Sequence, residues 1–416
     1  MDKLLKISFE LSLYILHIQN EFVRVMEAKW FILASYAFLV ALNQFFWINF
    51  ATISMQIQSF YGVSSFEVAL LAIIFPLIYI IFSVPAGIII DKKGYKYSIL
   101  IGSILMFLFA LVRAVQVNYI FLLVGQIGIA FAQPLLNNSA SKLANTEFQQ
   151  TEVTIAIGIG TLALFIGIAA GMIVPLLIIQ YISIQLTLYI FAIVSFIAMV
   201  FYLISMRYAK KIEMPEKTEL HIGKILKLGS ILVLSYIVFV GMGIFDGVLT
   251  WIDSIFQHVS ISSLQAGIIG LVFVLAGIFG SYFIPLLSSR YEQRKIFVIT
   301  AIVISIVILS IYMLISNFIL LILLSLILGF FMLGAFPLII DWATVITGSR
   351  YAGSVTAIIW LFAQIGGFIL PLLMGYNLLS MPNNTYLYSF IMFVILLIPA
   401  VLLLLRVQEK REFVGP

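Results

Sequence analysis

The sequence predicts an all-α membrane protein: twelve transmembrane helices in two pseudo-symmetric bundles of six. Three observations carry that prediction. Apolar residues make up 63% of the 416 positions and charged residues only 9%, whereas a soluble domain has roughly 45–50% apolar residues. Apolar runs of spanning length, ~20 residues each, recur along the whole chain. The basic residues fall almost wholly on one side of the spans so defined, as topogenic charges do.

The elements follow in order. Residues 1–29 are charge-rich, with Leu4, Leu11, Ile15, Ile18, Phe22 and Val25 at helical spacing. They read as an amphipathic segment on the membrane surface or, equally, as a loosely ordered leader. The apolar run from Leu11 to Ile18 is too short and polar-flanked for a cleavable signal. A first bundle, residues 30–206, holds runs near 30–56, 66–90, 97–117, 119–142, 152–180 and 184–206. A polar linker at 207–228 leads to a second bundle, residues 229–406. Its runs lie near 229–257, 264–288, 295–315, 317–346, 351–377 and 384–406, and residues 407–416 form a tail.

With the N-terminus placed in the cytoplasm, every lysine and arginine of the 22 except Arg113 falls on the cytoplasmic side. A miscounted span would swap the sides, so the asymmetry supports both count and orientation. It implies a multi-pass protein of the cell (plasma) membrane with both termini inside. The net charge of +5 is then topogenic, not a nucleic-acid surface. The partners implied are the lipid bilayer and a small solute, with the chain acting as a monomer.

The two bundles echo one another. GMIVPLL at 171–177 repeats as GFILPLL at 367–373, in the fifth span of each half. PLLNNSA at 134–140 answers PLIIDWA at 337–343, and GIIIDKKGYK at 87–96 answers PLLSSRYEQR at 285–294. Paired six-helix repeats are a transporter architecture, with the substrate near the midplane between them.

GIIIDKKGYK concentrates charge in a chain that avoids it. Gly87 would let a neighbouring helix come close, Asp91 suits a helix N-terminus, and Gly94 permits a tight turn. Lys92 and Lys96 can reach acidic groups and carbonyls on the rim. Lys142 and Glu152, flanking the loop between the fourth and fifth spans, are the expected partners of this gate. The stretch resembles the major facilitator signature G-x-x-x-D-R-x-G-R-R, with Gly87, Asp91, Lys92, Gly94 and Lys96 in matching places. That resemblance implies the major facilitator fold and a latch on the cytoplasmic side while the protein is open outward. Lysine replaces arginine throughout, which removes bidentate pairing. The second-half copy has Pro285 and Ser289 for the glycine and aspartate, and little gating is expected of it.

A narrower resemblance begins in LNQFFWINFATISMQIQSFYGVSS at 42–65. Asn43, Phe45, Trp47, Ile48, Ser54 and FYGVSS at 60–65 are similar to the feline leukemia virus subgroup C receptor-related family of major facilitators. The likeness continues in AQ at 132–133, SKLA at 141–144, AGIIG at 266–270, GFFMLGAFPL at 329–338 and Ala363-Gln364. It implies choline, ethanolamine or heme as substrate, with Trp47 stacking on a quaternary ammonium. It also implies a cavity site drawn from Asn43, Trp47, Gln364 and, where relatives carry a glutamine, Phe165.

Charges inside spans are costly and usually face a cavity or a partner. Asp246 is the most central. It reads as a counter-ion for a cation, a coupling proton carrier, or a structural carboxylate. Asp253 lies near the outer face and is expected to be wet; Asp341 is assigned to gating; Arg113 sits near the outer end of the third span. His17, His221 and His258 fit no metalloprotease motif, and neither a nucleophile elbow nor a P-loop is present. The chain has no cysteine, so disulfides and thiolate sites are excluded. No cofactor, metal or enzyme activity is implied. The expected function is secondary transport of a small solute by alternating access, such as a small organic cation. The alternatives left open are an exporter or proton-coupled carrier of heme or an organic anion, and a non-transporting receptor of transporter fold.

Overall fold

A computed structural model describes residues 28–115, 118–149, 152–210, 225–257, 261–291, 293–312, 314–348, 352–380 and 385–409. The segment 1–27 and most of the linker lie outside these residues. Among the described residues, 12 helices are long and apolar enough to cross a membrane. They are α1 Ala28–Ile48, α2 Ser65–Ile90, α3 Lys92–Ala114, α4 Tyr119–Glu147, α5 Ile155–Ile178 and α6 Ile184–Tyr208 in the first half. The second half holds α7 Gly229–Thr250, α8 Ser263–Tyr291, α9 Arg294–Tyr312, α10 Phe318–Thr347, α11 Ser354–Asn377 and α12 Tyr386–Leu404. Helix is the form such runs take because hydrocarbon offers no partner to a free peptide group.

Two spans end earlier than their apolar runs. After α1 the chain turns at Asn49–Ile53, where the Ala51 N–H bonds the Ile48 carbonyl, and resumes as a short helix, Ser54–Tyr61. After α7 it turns at Trp251 and resumes as Ile252–Gln257.

The helix starts show the repeat directly. Ser64 and Glu67 form a capping box before α2. Ser262 and Gln265 make the same reciprocal bonds before α8. Asn118 caps α4 and Asn317 caps α10. At the other end, Lys96 at the start of α3 donates to the Ala209 and Lys210 carbonyls beyond α6. Its counterpart Lys295, at the start of α9, donates to the Leu405 and Val407 carbonyls beyond α12. Each lysine satisfies orphaned carbonyls past a helix C-terminus.

Within the halves α4 packs on α2 and α3, α8 on α10, and α7 on α11. The halves join through α5 against α8 and α2 against α11. One end of the bundle carries the start of α1, the α2–α3 and α8–α9 turns and the close of α12, and with them Lys29, Lys92, Lys93, Arg290, Arg294, Lys295 and Arg406. This is the basic end. The lone basic residue at the opposite end among those described is Arg113.

Candidate substrate site and gates

α1 and α7 bring the predicted site together. Trp47 donates its indole N–H to the Ala72 carbonyl on α2 at 3.2 Å. Its ring lies 6.5 Å from that of Phe245 on α7, and it is 5% exposed. Asp246 follows Phe245 and is 6% exposed. Its carboxylate lies against Gly367 on α11, where an added Cβ would stand 2.0 Å from Oδ2 and 3.6 Å from Pro76 of α2. Gly171 on α5 receives Ile48 of α1 in the same way, with a Cβ 2.6 Å from Cγ2. The repeated GMIVPLL and GFILPLL segments therefore serve the same packing task in each half. Gln364 is half-buried on α11, three residues before Gly367, and so lies on the same face one turn away.

The other two predicted site residues lie in the first half. Asn43 is buried within the first half and donates to the Ile129 carbonyl of α4 at 3.4 Å, with Oδ1 unpartnered. Phe165 is half-buried on α5 and packs against the apolar core. Asn43 lies one turn before Trp47 on α1 and so on the same face. A small apolar cavity lies apart from the site, inside the second half. Val238, Met242, Ser305, Met332 and Phe336 line it, and no charged residue does.

The opposite end is closed across the halves. The Met55 N–H donates to Asp253 Oδ2 at 3.2 Å. The Phe66 and Trp251 rings stand 6.4 Å apart, and the Trp251 indole donates to the Pro371 carbonyl at 3.0 Å. Cβ atoms at Gly267 and Gly270 of α8 would meet Leu176 and Met172 of α5. Asp253, expected to be wet, is 2% exposed. A partner contributed by the other half covers it.

At the basic end Lys29 pairs with Glu152 and Arg294 with Asp341, each within one half. Gly94 takes φ 81°, the left-handed region that favours glycine, and turns α2 into α3 as expected. Lys142 donates to the Ile90 carbonyl at 3.0 Å and so touches the signature segment. Glu152 does not: it pairs with Lys29 of α1 at 2.7 Å. Lys96 caps α6, and Lys92 is exposed. The acid that holds the turn is Glu147, which accepts from the Tyr95 hydroxyl and the Lys210 N–H. Asp341 pairs with Arg294 at 2.7 Å, tying α10 to the α8–α9 turn of the same half. Nothing lies within 4 Å of a Cβ placed on Gly87, so the close approach expected there is not made in this conformation. The backbone of Asp91 is helical, three residues before the turn at Gly94, and its side chain is outside the described set. Arg113 is fully buried, 4.5 Å from the Phe46 ring and 5.0 Å from Phe50, and donates to Gln126 Oε1 at 2.8 Å. Gln126 in turn donates to the Phe46 carbonyl at 2.7 Å. Among the described residues no three His, Asp or Glu side chains group as metal ligands.

Sequence reasoning missed Phe245, Trp251, Glu147 and the role of Asp253. The matching boxes SSFE at 64–67 and SSLQ at 262–265 could have found two of them, Phe245 and Asp253. Superposing these boxes sets Trp47 over Phe245 and Met55 over Asp253, the latter pair 198 residues apart.

A chain of twelve spans in two repeated halves, joined at one end, has the architecture of a carrier. The profile of the Major Facilitator Superfamily matches residues 33–371 and 237–415, and the chain belongs to that family. It is 24% identical to the choline/ethanolamine transporter FLVCR2 of Rattus norvegicus, over 90% of this chain and 74% of that protein. It is 32% identical to an uncharacterized protein of Archaeoglobus fulgidus, over 36% of this chain and 69% of that one. Among solved structures, a bacterial homolog of the human lysosomal transporter Spinster superposes with a TM-score of 0.73 at 14% identity. It covers 91% of this chain and 96% of its own, and was solved inward-facing and unoccupied.

Proposed function

We propose that this chain is a secondary transporter of a small organic cation of the choline or ethanolamine class, working by alternating access from the plasma membrane as a monomer. The observation that carries the mechanism is one-sided closure. The halves meet at the opposite end, while the basic-end ion pairs found among the described residues, Lys29–Glu152 and Arg294–Asp341, each join residues of one half. With the basic end cytoplasmic, this is the inward-facing state, in which Gly87 makes no close approach to a neighbouring helix.

The substrate class rests on Trp47, Asp246 and Gln364, with support from the choline and ethanolamine transporters that the chain resembles. Trp47 and Phe245 roof the site from the two halves. A cation below them meets an aromatic face, which holds it without a formal charge. Asp246 is the one carboxylate beside that roof among the described residues and supplies the countercharge. Gln364 adds a neutral hydrogen bond one turn away.

Binding of radiolabelled choline and ethanolamine to purified protein tests this. A desolvated cation–π contact of ~2 kcal/mol makes Trp47→Ala bind about thirtyfold more weakly, with Trp47→Phe milder. Asp246→Asn weakens cations and spares neutral analogues. Unchanged affinity in Trp47→Ala for every transported solute sinks the cation site.

A further inference from the structure

The strongest unassigned feature is a buried acid on the closed seam. Asp253 stands in the short helix after α7, and its Oδ2 accepts the Met55 N–H from the first half. The Ser54 N–H and the Ser263 hydroxyl face the same carboxylate. Met55 is the second residue of the helix Ser54–Tyr61, so its N–H has no carbonyl partner within that helix. An anion at this position is favoured both by that free donor and by the helix dipole. The Ser263 hydroxyl also approaches Met55 Sδ at 3.9 Å.

The placement is symmetric in backbone and asymmetric in chemistry. Met55 and Asp253 are equivalents 198 residues apart, as are Trp47 and Phe245. The two pairs therefore meet near the pseudo-twofold axis. At Trp47 and Phe245 the pair is aromatic on both sides. At the outer pair the first half offers a backbone donor and the second half a carboxylate. Within its own half the acid sits in the first turn of Ile252–Gln257 and faces the Ser263 hydroxyl, and the first half adds backbone donors. A carboxylate stripped of water at this depth is costly unless hydrogen-bonded, and part of its hydrogen bonding comes from the other half. When the halves part at this end, that bond must be surrendered to water.

We propose that Asp253 is the latch of the opposite end: its carboxylate, held by the helix starting at Ser54, sets how firmly the outer gate stays shut. This rests on the alternating-access reading above. It is independent of which solute is carried.

The chain has no cysteine, so single reporters are clean. Thr52 is fully buried on the seam, its Cγ2 3.6 Å from a Cβ placed on Gly267, and Thr52→Cys changes little volume. In proteoliposomes with the opposite end outward, a membrane-impermeant maleimide should label Thr52→Cys slowly. Adding Asp253→Asn or Asp253→Ala should raise the rate about tenfold, the scale of a lost charge-assisted hydrogen bond. Asp253→Glu should fall between. Ser195→Cys, fully buried on α6 away from the seam, serves as the control for loosening of the fold. Faster labelling at Thr52→Cys with Ser195→Cys still protected supports the latch. Unchanged labelling at Thr52→Cys overturns it, and so does equal acceleration at both reporters. Failure of the choline and ethanolamine binding tests would leave this result standing, so the two readings fail separately.

Discussion

Gly367 and Gly87 are both glycines on interface helices, and the structure gives them opposite roles. A Cβ on Gly367 would collide with the Asp246 carboxylate, whereas one on Gly87 meets nothing within 4 Å. Gly367→Ala must push α7 from α11 or turn Asp246 out of place, at a cost of ~1–3 kcal/mol. Its Tm should fall and cation binding should fall with it. Gly87→Ala should hold or raise Tm, since alanine favours helix over glycine by ~0.5–1 kcal/mol. Its effect belongs to the other end of the cycle. If the glycine serves close approach when the basic end shuts, turnover drops while Tm does not. Equal Tm losses in the two variants would contradict this contrast. The residue level is also where the sequence was least legible. Asp246 stood out as a charge in an apolar run, but that its carboxylate lies on Gly367 follows from a helix more than a hundred positions away. Asp253 was misjudged for the same reason: its burial depends on Met55, a residue with no polar side chain to announce a partner.

The helices themselves were legible because the solvent imposes them. Any run of about twenty apolar residues must satisfy its own backbone, and ten of the twelve spans match their runs to within a few residues. The exceptions are α1 and α7, whose runs continue past a break that polarity alone does not mark. At the rims, pairings were harder to read than elements. Glu152 was assigned to the signature loop, yet it bonds Lys29, whose ammonium also lies 5.7 Å from Trp30 and 5.5 Å from Phe148. That choice staples the start of α1 to the start of α5. The hydrogen bond from Lys29 holds the Glu152 carboxyl below its usual range. A depressed carboxylate stabilises the fold above its ordinary pKa and loses that contribution as pH falls through the depressed value. The Tm gap between the protein and Glu152→Gln should therefore be widest near neutral pH and close on acidification. A gap that widens with acid would show that the pair is not the source.

At the scale of the whole molecule, the two halves share a fold but not their charges. Each half caps its first-to-second-span junction with a Ser-x-x-Glu or Ser-x-x-Gln box, and each ties its sixth helix down with a lysine from its third. The first half carries Trp47 and the signature turn, and the second carries Asp246, Asp253 and Asp341. In the proposed cycle, apolar faces support a hinge between them. Ile81, Val84 and Ile88 of α2 and Phe279, Tyr282 and Leu286 of α8 are exposed toward the basic end, on the helices that join the halves farther along. Lipid covers part of these faces, and closure of the basic end would cover more. Topology and state can be read together in a cysteine-free chain. A cysteine replacing Tyr181, 85% exposed in the α5–α6 turn, should react with an impermeant maleimide added to whole cells. One replacing Lys93, exposed in the α2–α3 turn, should react only after the membrane is opened. The reverse pattern would invert the orientation and turn this conformation outward-facing. Given the expected pattern, Val84→Cys, at a site 71% exposed, reports on the hinge. Its labelling from the cytoplasmic side should slow when the basic end closes, in step with faster labelling of Thr52→Cys from outside. Two rates that move in the same direction would mean that the halves do not rock about the Trp47–Phe245 contact.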